Sequence, residues 1–229
     1  MSTPDQHLTT VAVGVTTDRL ARVSPAARAV HRQVLTAYAA TGNPPGRDTL
    51  VDASGGADPD ALLRELHARD VIRLDPEGAV EVAYPFSTRP TPHVVTIAGG
   101  PTVYAMCAID ALGMAAMLRR DISIASTDPR NGQPVTVTIH KGRAGWRPGS
   151  AVVIEGAITS PVGDCCQPDT SAEAVQPAVD RCCAVLNFFT DPASAAAWLA
   201  DHREVTGKLL TQTKALRLGA AIFGHLLNA

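Results

Sequence analysis

The stretch Val103-Tyr104-Ala105-Met106-Cys107-Ala108-Ile109-Asp110-Ala111-Leu112 opens an apolar run that predicts a helix from about Val103 to Arg120. On that helix Cys107 and Asp110 lie three residues apart and project from one face, so their functional groups come within reach of each other. The positive end of the helix dipole favours a thiolate at Cys107, whereas burial beside a carboxylate raises the pKa of one or both groups. The pair can therefore share a proton, unless Asp110 is merely an exposed residue of the helix.

The chain before this run predicts a winged-helix-like outline. Ser24-Pro25 has the pattern of a helix N-cap followed by proline at the first helical position, and Asp58-Pro59 starts further helical structure. Two β-like runs, residues 71–74 and 79–82, follow and are separated by a turn. Short helices followed by a hairpin are typical of a winged-helix domain, which we assign to residues 1–86.

A winged-helix domain suggests DNA binding, and the charges argue against it. Residues 17–84 contain eight arginines and no lysine against ten acidic residues, and Asp58, Asp60 and Asp70 flank the second helical run. Binding to a phosphate backbone needs the opposite balance. We therefore expect no nucleic-acid partner, and expect this domain to pack on the rest of the protein.

The remaining chain, residues 87–229, predicts a second domain. Alternating and apolar runs indicate strands, and Asp191-Pro192 starts a helix that carries Trp198. A last helix is expected from Leu209 to Leu227. The predicted strands are residues 93–97, 122–126, 135–140, 151–158 and 185–189. The class expected is α+β, in which the winged-helix-like domain precedes a mixed β-sheet core domain with flanking helices.

Composition excludes several classes of protein. The 229 residues are 45% hydrophobic and 18% charged, as in a globular chain and unlike a disordered one. The formal net charge of −2 gives no basic surface for nucleic acid or for an anionic membrane. The first fifteen residues lack a basic stretch before a long apolar run, so we expect a cytoplasmic protein with no membrane partner.

The five cysteines are Cys107 and the adjacent pairs Cys165-Cys166 and Cys182-Cys183. An odd number in a reducing compartment does not predict a disulfide framework, and no C-x-x-C spacing indicates structural zinc. Thiol chemistry or a soft metal is the better interpretation. The alternative is that each cysteine is only a small buried hydrophobe.

Two separated blocks resemble the signature of the alkylmercury lyase family. They are residues 103–112 and Cys183-Ala184-Val185-Leu186-Asn187-Phe188-Phe189, and they stand in the family's order. The intervening Asn131-Gly132-Gln133-Pro134-Val135 and the later Trp198 also look like family positions. The similarity covers the chain from about Val94 to its end, and the winged-helix-like first region matches the family's architecture.

The resemblance implies an organomercurial lyase with Cys107, Cys183 and Asp110 as catalytic and mercury-binding residues. Soft thiolate sulfurs are strong ligands of mercury, and two of them make the carbon on mercury more basic. Asp110 accepts a thiol proton and delivers it to that carbon. The expected products are a hydrocarbon and protein-bound Hg(II), which small thiols remove and pass to a mercuric reductase. No organic cofactor is required.

The family register selects Cys183 rather than Cys182 as the second ligand. Four residues separate the family's catalytic cysteine from a Phe-Phe pair, and an Asn or His immediately precedes that pair. Counting back from Phe188 gives Cys183. If the cysteine pair enters the next strand in extended form, the two side chains point to opposite faces. A bulge or turn there would instead let Cys182 join as a third ligand.

The sequence departs from the family pattern at two places. Asp128 stands where many members have a further cysteine thought to be structural, and Cys165-Cys166 lies in a loop rich in glycine and proline. These loop thiols either relay metal or are simply tolerated. Two functional alternatives also stay open: a non-catalytic protein that sequesters soft metals such as Hg, Cu or Zn, and a homologue that uses the same fold on a substrate without mercury.

Overall fold

The computed structural model describes residues 19–158 and 177–227. Its first part contains a helical stretch at residues 19–21 and then three helices and a hairpin, in the predicted order. Side chains of Ser24 and Asp58 accept hydrogen bonds from the backbone amides at the starts of the first and third helices, and Gly42 ends the first helix in a left-handed conformation. The elements are α1 (Pro25–Thr41), α2 (Arg47–Ala53), α3 (Pro59–Ala68), β1 (Ile72–Leu74) and β2 (Val80–Ala83).

One large sheet of eight strands organises the molecule. Its order is β1-β2-β3-β5-β4-β6-β7-β8, so β3 joins the hairpin to the rest of the sheet. Burial alternates along β6 and β7, which shows that one face of the sheet is covered by the core. The further strands are β3 (Phe86–Ser87), β4 (His93–Ile97), β5 (Thr102–Ala105), β6 (Ile122–Thr127), β7 (Pro134–His140) and β8 (Arg143–Arg147).

A second, smaller sheet has three strands. The central strand, β9 (Val152–Ile158), lies between β10 (Phe188–Phe189) and β11 (Val205–Leu210). Helix α5 (Pro192–Asp201) covers it through a small apolar cluster of Ile154, Val185, Phe189, Ala195 and Trp198. The strand pairs among the described residues are all antiparallel, where a mixed sheet was expected. The α+β class is confirmed.

The predicted helix from Val103 to Arg120 is wrong at its start. Residues 102–105 form strand β5, in which Val103 and Tyr104 pair with Val95 and Val94 of β4. β-Branched and aromatic residues favour a strand. Strand β5 forms hydrogen bonds with β3 on one side and with β4 on the other. The helix, α4 (Ala108–Leu118), begins later, and Cys107 is its N-cap rather than an interior residue.

The later elements also differ from the prediction. The strand expected at residues 185–189 is confined to β10, and a π-helical turn, Val179–Cys183, precedes it. Leu209 and Leu210 complete β11, so the last helix, α6 (Gln212–Phe223), starts after them. Strands β8 and β11 were not predicted. Among the described residues, no helix is both long enough and apolar enough to cross a membrane.

Helices α4 and α6 approach closely because two glycines face each other. A Cβ atom added at Gly113 would lie 2.7 Å from the Gly219 carbonyl oxygen and 2.4 Å from the Phe223 ring. A Cβ atom at Gly219 would lie 2.8 Å from the Gly113 amide nitrogen. Backbone therefore packs on backbone at this crossing, which holds α4 close to α6.

We expect Gly113→Ala to lower the free energy of unfolding by about 1–3 kcal/mol, because overpacking at this crossing exceeds the gain in helix propensity. Chemical denaturation under reducing conditions measures the change. Gly149→Ala is the matched control, since a Cβ atom there meets nothing within 4 Å. Equal midpoints for the two variants would contradict the close approach of α4 and α6.

Candidate active site

Cys107 lies where strand β5 passes into helix α4. Its backbone is extended, with φ −154° and ψ 177°, and its Sγ accepts a hydrogen bond from the Asp110 amide at 3.4 Å. The sulfur thus takes the place of the hydroxyl or carboxylate that usually caps a helix. The residue is only 2% exposed. The helix start holds this thiol in one position.

Asp110 occupies the first turn of α4 and is buried. Burial raises the pKa of its carboxyl to about 8, although a hydrogen bond with the Cys107 thiol lowers it in part. Its Oδ2 atom has no hydrogen-bond partner among the described residues. A buried carboxylate without compensation is costly, so this group carries a proton at neutral pH.

Cys183 ends the π-helical turn and reaches the same place from the other side. The Sγ atoms of Cys107 and Cys183 and a carboxylate oxygen of Asp110 all lie within 4.8 Å of one another. The hydrogen bond with Cys107, burial, and the charges of Asp110 and Asp70 raise the pKa of Cys183 well above 9. Burial likewise raises the pKa of Cys107. Two soft sulfurs and one acid therefore converge in their neutral forms, and such a donor set suits a soft metal.

The structure separates Cys182 from this group. Cys182 is half-buried and borders the same cavity, but it does not belong to the cluster of Cys107, Asp110 and Cys183. The pair lies in a helical turn rather than in the extended strand considered from the sequence, so strand alternation is not what divides the two residues. Cys165 and Cys166 lie outside the described residues.

Backbone hydrogen bonds hold the two cysteine-bearing segments together. The amide of Ala108, next to Cys107, donates to the Leu186 carbonyl at 2.8 Å. The Asn187 side chain donates to the Ala184 carbonyl at 3.0 Å and also bonds to buried His93, whose Nδ1 lies 2.9 Å from the Ser126 hydroxyl. The segment after the π-helical turn is thus tied both to α4 and to the large sheet.

A cavity of about 160 Å³ opens onto the three groups. Its wall is mainly apolar, and much of it comes from α6 and the residues that follow. The polar side chains around it include Arg19, Asp70 and Tyr84 from the first part of the chain. Sequence analysis missed these three residues, and no local spacing could have identified them because their partners are distant in sequence. The main apolar lining residues are Leu20, Val71, Leu218, Ile222, Phe223 and Leu226.

Asp128 is fully buried and hydrogen-bonded. Its carboxylate accepts from the amide and hydroxyl of Thr190, from the Ser194 hydroxyl at 2.7 Å and from the Arg130 amide. Burial alone would raise the pKa of Asp128, but these hydrogen bonds outweigh it and lower the pKa. The residue joins the end of β6 to the start of α5, which is a structural task.

The chain is similar to known proteins of one family. The alkylmercury lyase family model matches residues 86–224. Alkylmercury lyase of Staphylococcus epidermidis is 31% identical over 155 residues, which are 67% of this chain and 64% of that protein. The protein of the same name from Bacillus cereus is 28% identical over 69% of this chain and 65% of its own length. The chain thus spans slightly less than two thirds of these two relatives.

Two further matches extend over more of the chain. Alkylmercury lyase of Pseudomonas putida is 27% identical over 82% of this chain and 80% of its own length. The crystal structure of the mercury-bound form of MerB2 shares the fold, with a TM-score of 0.75 and 21% identity over 96% of this chain and 100% of that one. The family model covers more than half of the chain and includes Cys107, Asp110 and Cys183. The chain therefore belongs to the alkylmercury lyase family.

Proposed function

We propose that the protein is an organomercurial lyase that cleaves the carbon–mercury bond by protonation. The observation that carries the proposal is the convergence of two Sγ atoms and one carboxylate oxygen within 4.8 Å of one another. Mercury in R–Hg–X prefers sulfur ligands, and the carbon needs a proton. The three side chains offer both the sulfur ligands and the proton.

The reaction balances with these groups alone. The thiols of Cys107 and Cys183 become the two ligands of mercury, X leaves with one thiol proton, and the carbon takes a proton as R–H. Asp110, which is protonated at rest, gives its proton to the carbon and takes the remaining thiol proton in its place. The sum is R–Hg–X plus two thiols giving R–H, HX and a bis-thiolate of Hg(II). The buried acid is suited to this task because its pKa of about 8 lies near neutrality, so it can both hold and return a proton.

The cavity next to the three side chains has room for the organic group. The apolar wall from α6 faces Cys107, Cys183 and Asp110 across the cavity. An apolar wall beside the site strengthens the interaction of the acid with the carbon that it protonates. We infer that the organic group of the mercurial lies against this wall.

The order of three helices and a hairpin supports a winged-helix-like domain at residues 1–86, with the catalytic domain at residues 87–229. The reaction needs no organic cofactor. Small thiols would remove the bound Hg(II), with a mercuric reductase as acceptor, and the free cysteines suit the reducing cytoplasm.

Headspace analysis tests the function directly. Purified protein with excess thiol should release methane from methylmercury or benzene from phenylmercury. A protein that only sequesters soft metals would bind Hg(II) tightly and release no hydrocarbon. A homologue acting on another substrate would also release none.

We expect Asp110→Ala to keep mercury bound through the thiols and to lose turnover by several orders of magnitude, because the proton carrier is gone. Hydrocarbon release and mercury retention measure the two effects. Asp48→Ala is the matched control, since Asp48 is also an acid in the first turn of a helix but is exposed. Near-normal turnover of Asp110→Ala would remove Asp110 from the mechanism.

We expect Cys107→Ser and Cys183→Ser to be inactive, because each removes one of the two sulfur ligands. Cys182→Ser should stay substantially active, since Cys182 lies outside the three-residue cluster. Cys165→Ser and Cys166→Ser are expected to behave like Cys182→Ser. Turnover of organomercurial by the five variants is compared. An inactive Cys182→Ser beside an active Cys183→Ser would show that the register is shifted by one.

The raised pKa of Asp110 also has a consequence for stability. Between its ordinary pKa of 3.8 and the folded value of about 8, the native protein holds a proton that the unfolded chain lacks. The contribution of Asp110 to stability therefore falls as pH rises, by up to about 1.4 kcal/mol per pH unit. We expect Asp110→Asn to gain stability relative to the wild type between about pH 5 and about pH 8. A pH-independent difference in the free energy of unfolding would contradict a protonated Asp110.

A further inference from the structure

Asp70 lies outside the three-residue cluster, yet its carboxylate contacts the segment that carries Cys183. It stands between α3 and β1 with φ 51°, a left-handed conformation that Asp tolerates better than most residues. The residue is 2% exposed. Its Oδ2 atom accepts from Arg19 Nη1 and from the Ala178 backbone amide, both at 2.8 Å. Arg19 supplies the opposite charge that a buried carboxylate requires.

Tyr84 makes the next contact along the same segment. Its hydroxyl donates to Asp70 Oδ1 at 3.2 Å and accepts from the Val179 amide at 3.2 Å. Two successive backbone amides, those of Ala178 and Val179, are thus bound by side chains of the first part of the chain. Asp70 and Ala178 are 108 residues apart in sequence.

These two amides stand at the start of the π-helical turn, Val179–Cys183. The first amides of a helical segment have no partner within it, so external acceptors fix where the segment begins. Cys183 is the last residue of this turn. At the other end, the Leu186 carbonyl is bound by the Ala108 amide, and the Ala184 carbonyl is bound by the Asn187 side chain. Hydrogen bonds therefore fix the turn at both ends, and Asp70 and Tyr84 accept those at its start.

We propose that Asp70 and Tyr84 are positioning residues, which act through the π-helical turn to place the Cys183 sulfur opposite Cys107. The inference rests on the proposed use of Cys183 as the second mercury ligand. Cys107 is held separately, by the start of α4. Loss of the contacts made by Asp70 and Tyr84 should therefore leave capture of the mercurial by Cys107 in place and slow the entry of the second sulfur. Neither Asp70 nor Tyr84 lies within residues 86–224, the part matched by the family model.

Tyr84→Phe is the sharpest test, because it removes one hydroxyl and keeps the ring. Tyr38→Phe is its matched control. Tyr38 is another tyrosine of the first part of the chain; it is buried, whereas Tyr84 is half-buried, and its hydroxyl has no partner among the described residues. Both full-length variants are compared with the wild type for kcat and KM of hydrocarbon release. Separately, Hg(II) chloride is titrated into each protein in competition with glutathione. The unfolding midpoint of each protein is recorded.

We expect Tyr84→Phe to lower kcat about tenfold and to weaken retention of Hg(II) about tenfold, in keeping with the loss of a hydrogen bond that orients a ligand. The change in KM should be less than about threefold, since Cys107 is undisturbed. Tyr38→Phe should match the wild type in all three quantities. Asp70→Asn keeps an acceptor for the Ala178 amide and tolerates the left-handed backbone, so it should retain more activity than Asp70→Ala.

The outcomes separate this inference from the proposed function. If the wild type releases no hydrocarbon but Tyr84→Phe alone loses Hg(II) to glutathione, the lyase function fails and the positioning role stands. If the wild type turns over and Tyr84→Phe equals Tyr38→Phe in kcat and in mercury retention, the positioning role is overturned. The positioning role is also overturned if Tyr84→Phe lowers the unfolding midpoint but leaves kcat unchanged.

Discussion

The hydrogen bond from the Ala108 amide to the Leu186 carbonyl joins the two segments on which the site depends. One segment ends strand β5 and begins α4 with Cys107 as its cap, and the other leaves the π-helical turn after Cys183. This contact joins the residue after Cys107 to a residue three positions after Cys183, and so it limits how far apart the two cysteines can lie. The close crossing of Gly113 and Gly219 then holds α4 against α6, and α6 supplies the apolar wall.

Burial gives this site its chemistry and costs the protein stability. Desolvation favours the neutral forms of Cys107, Cys183 and Asp110, so the resting site stores protons rather than charge. Asp128 illustrates the opposite arrangement, because it is equally buried but surrounded by donors, and its pKa is lowered. The two carboxylates differ in the number of hydrogen-bond donors around them. Asp128 is satisfied and structural, whereas Asp110 keeps an unpaired oxygen next to two thiols.

Local signals predicted much of the fold. Ser24 and Asp58 marked helix starts, and alternating burial in β6 and β7 followed the apolar pattern, since a cap or a period is a property of neighbouring residues. Residues 102–105 were misassigned because a short apolar run fits a buried strand as well as a helix. Strand β8 was missed because an exposed edge strand, Arg143–Arg147, lacks a strong apolar pattern.

The site itself was predicted only in part, for the same physical reason. Cys107 and Asp110 could be paired from their spacing, and the Phe-Phe register singled out Cys183 over Cys182. The geometry groups these same three side chains. Arg19, Asp70 and Tyr84 left no trace in the pattern, because their contacts exist only in the folded chain. Asp70 and Tyr84 bind residues 178 and 179, about a hundred positions away, and Arg19 binds Asp70.

The distance along the chain between Cys107 and Cys183 has a consequence for biosynthesis. Contacts between segments so far apart in sequence form late, after the loop between them has been closed. During translation the first thiol emerges well before the second, and the cavity wall on α6 emerges last of all. The arrangement of Cys107, Asp110 and Cys183 therefore exists only once synthesis and folding are complete.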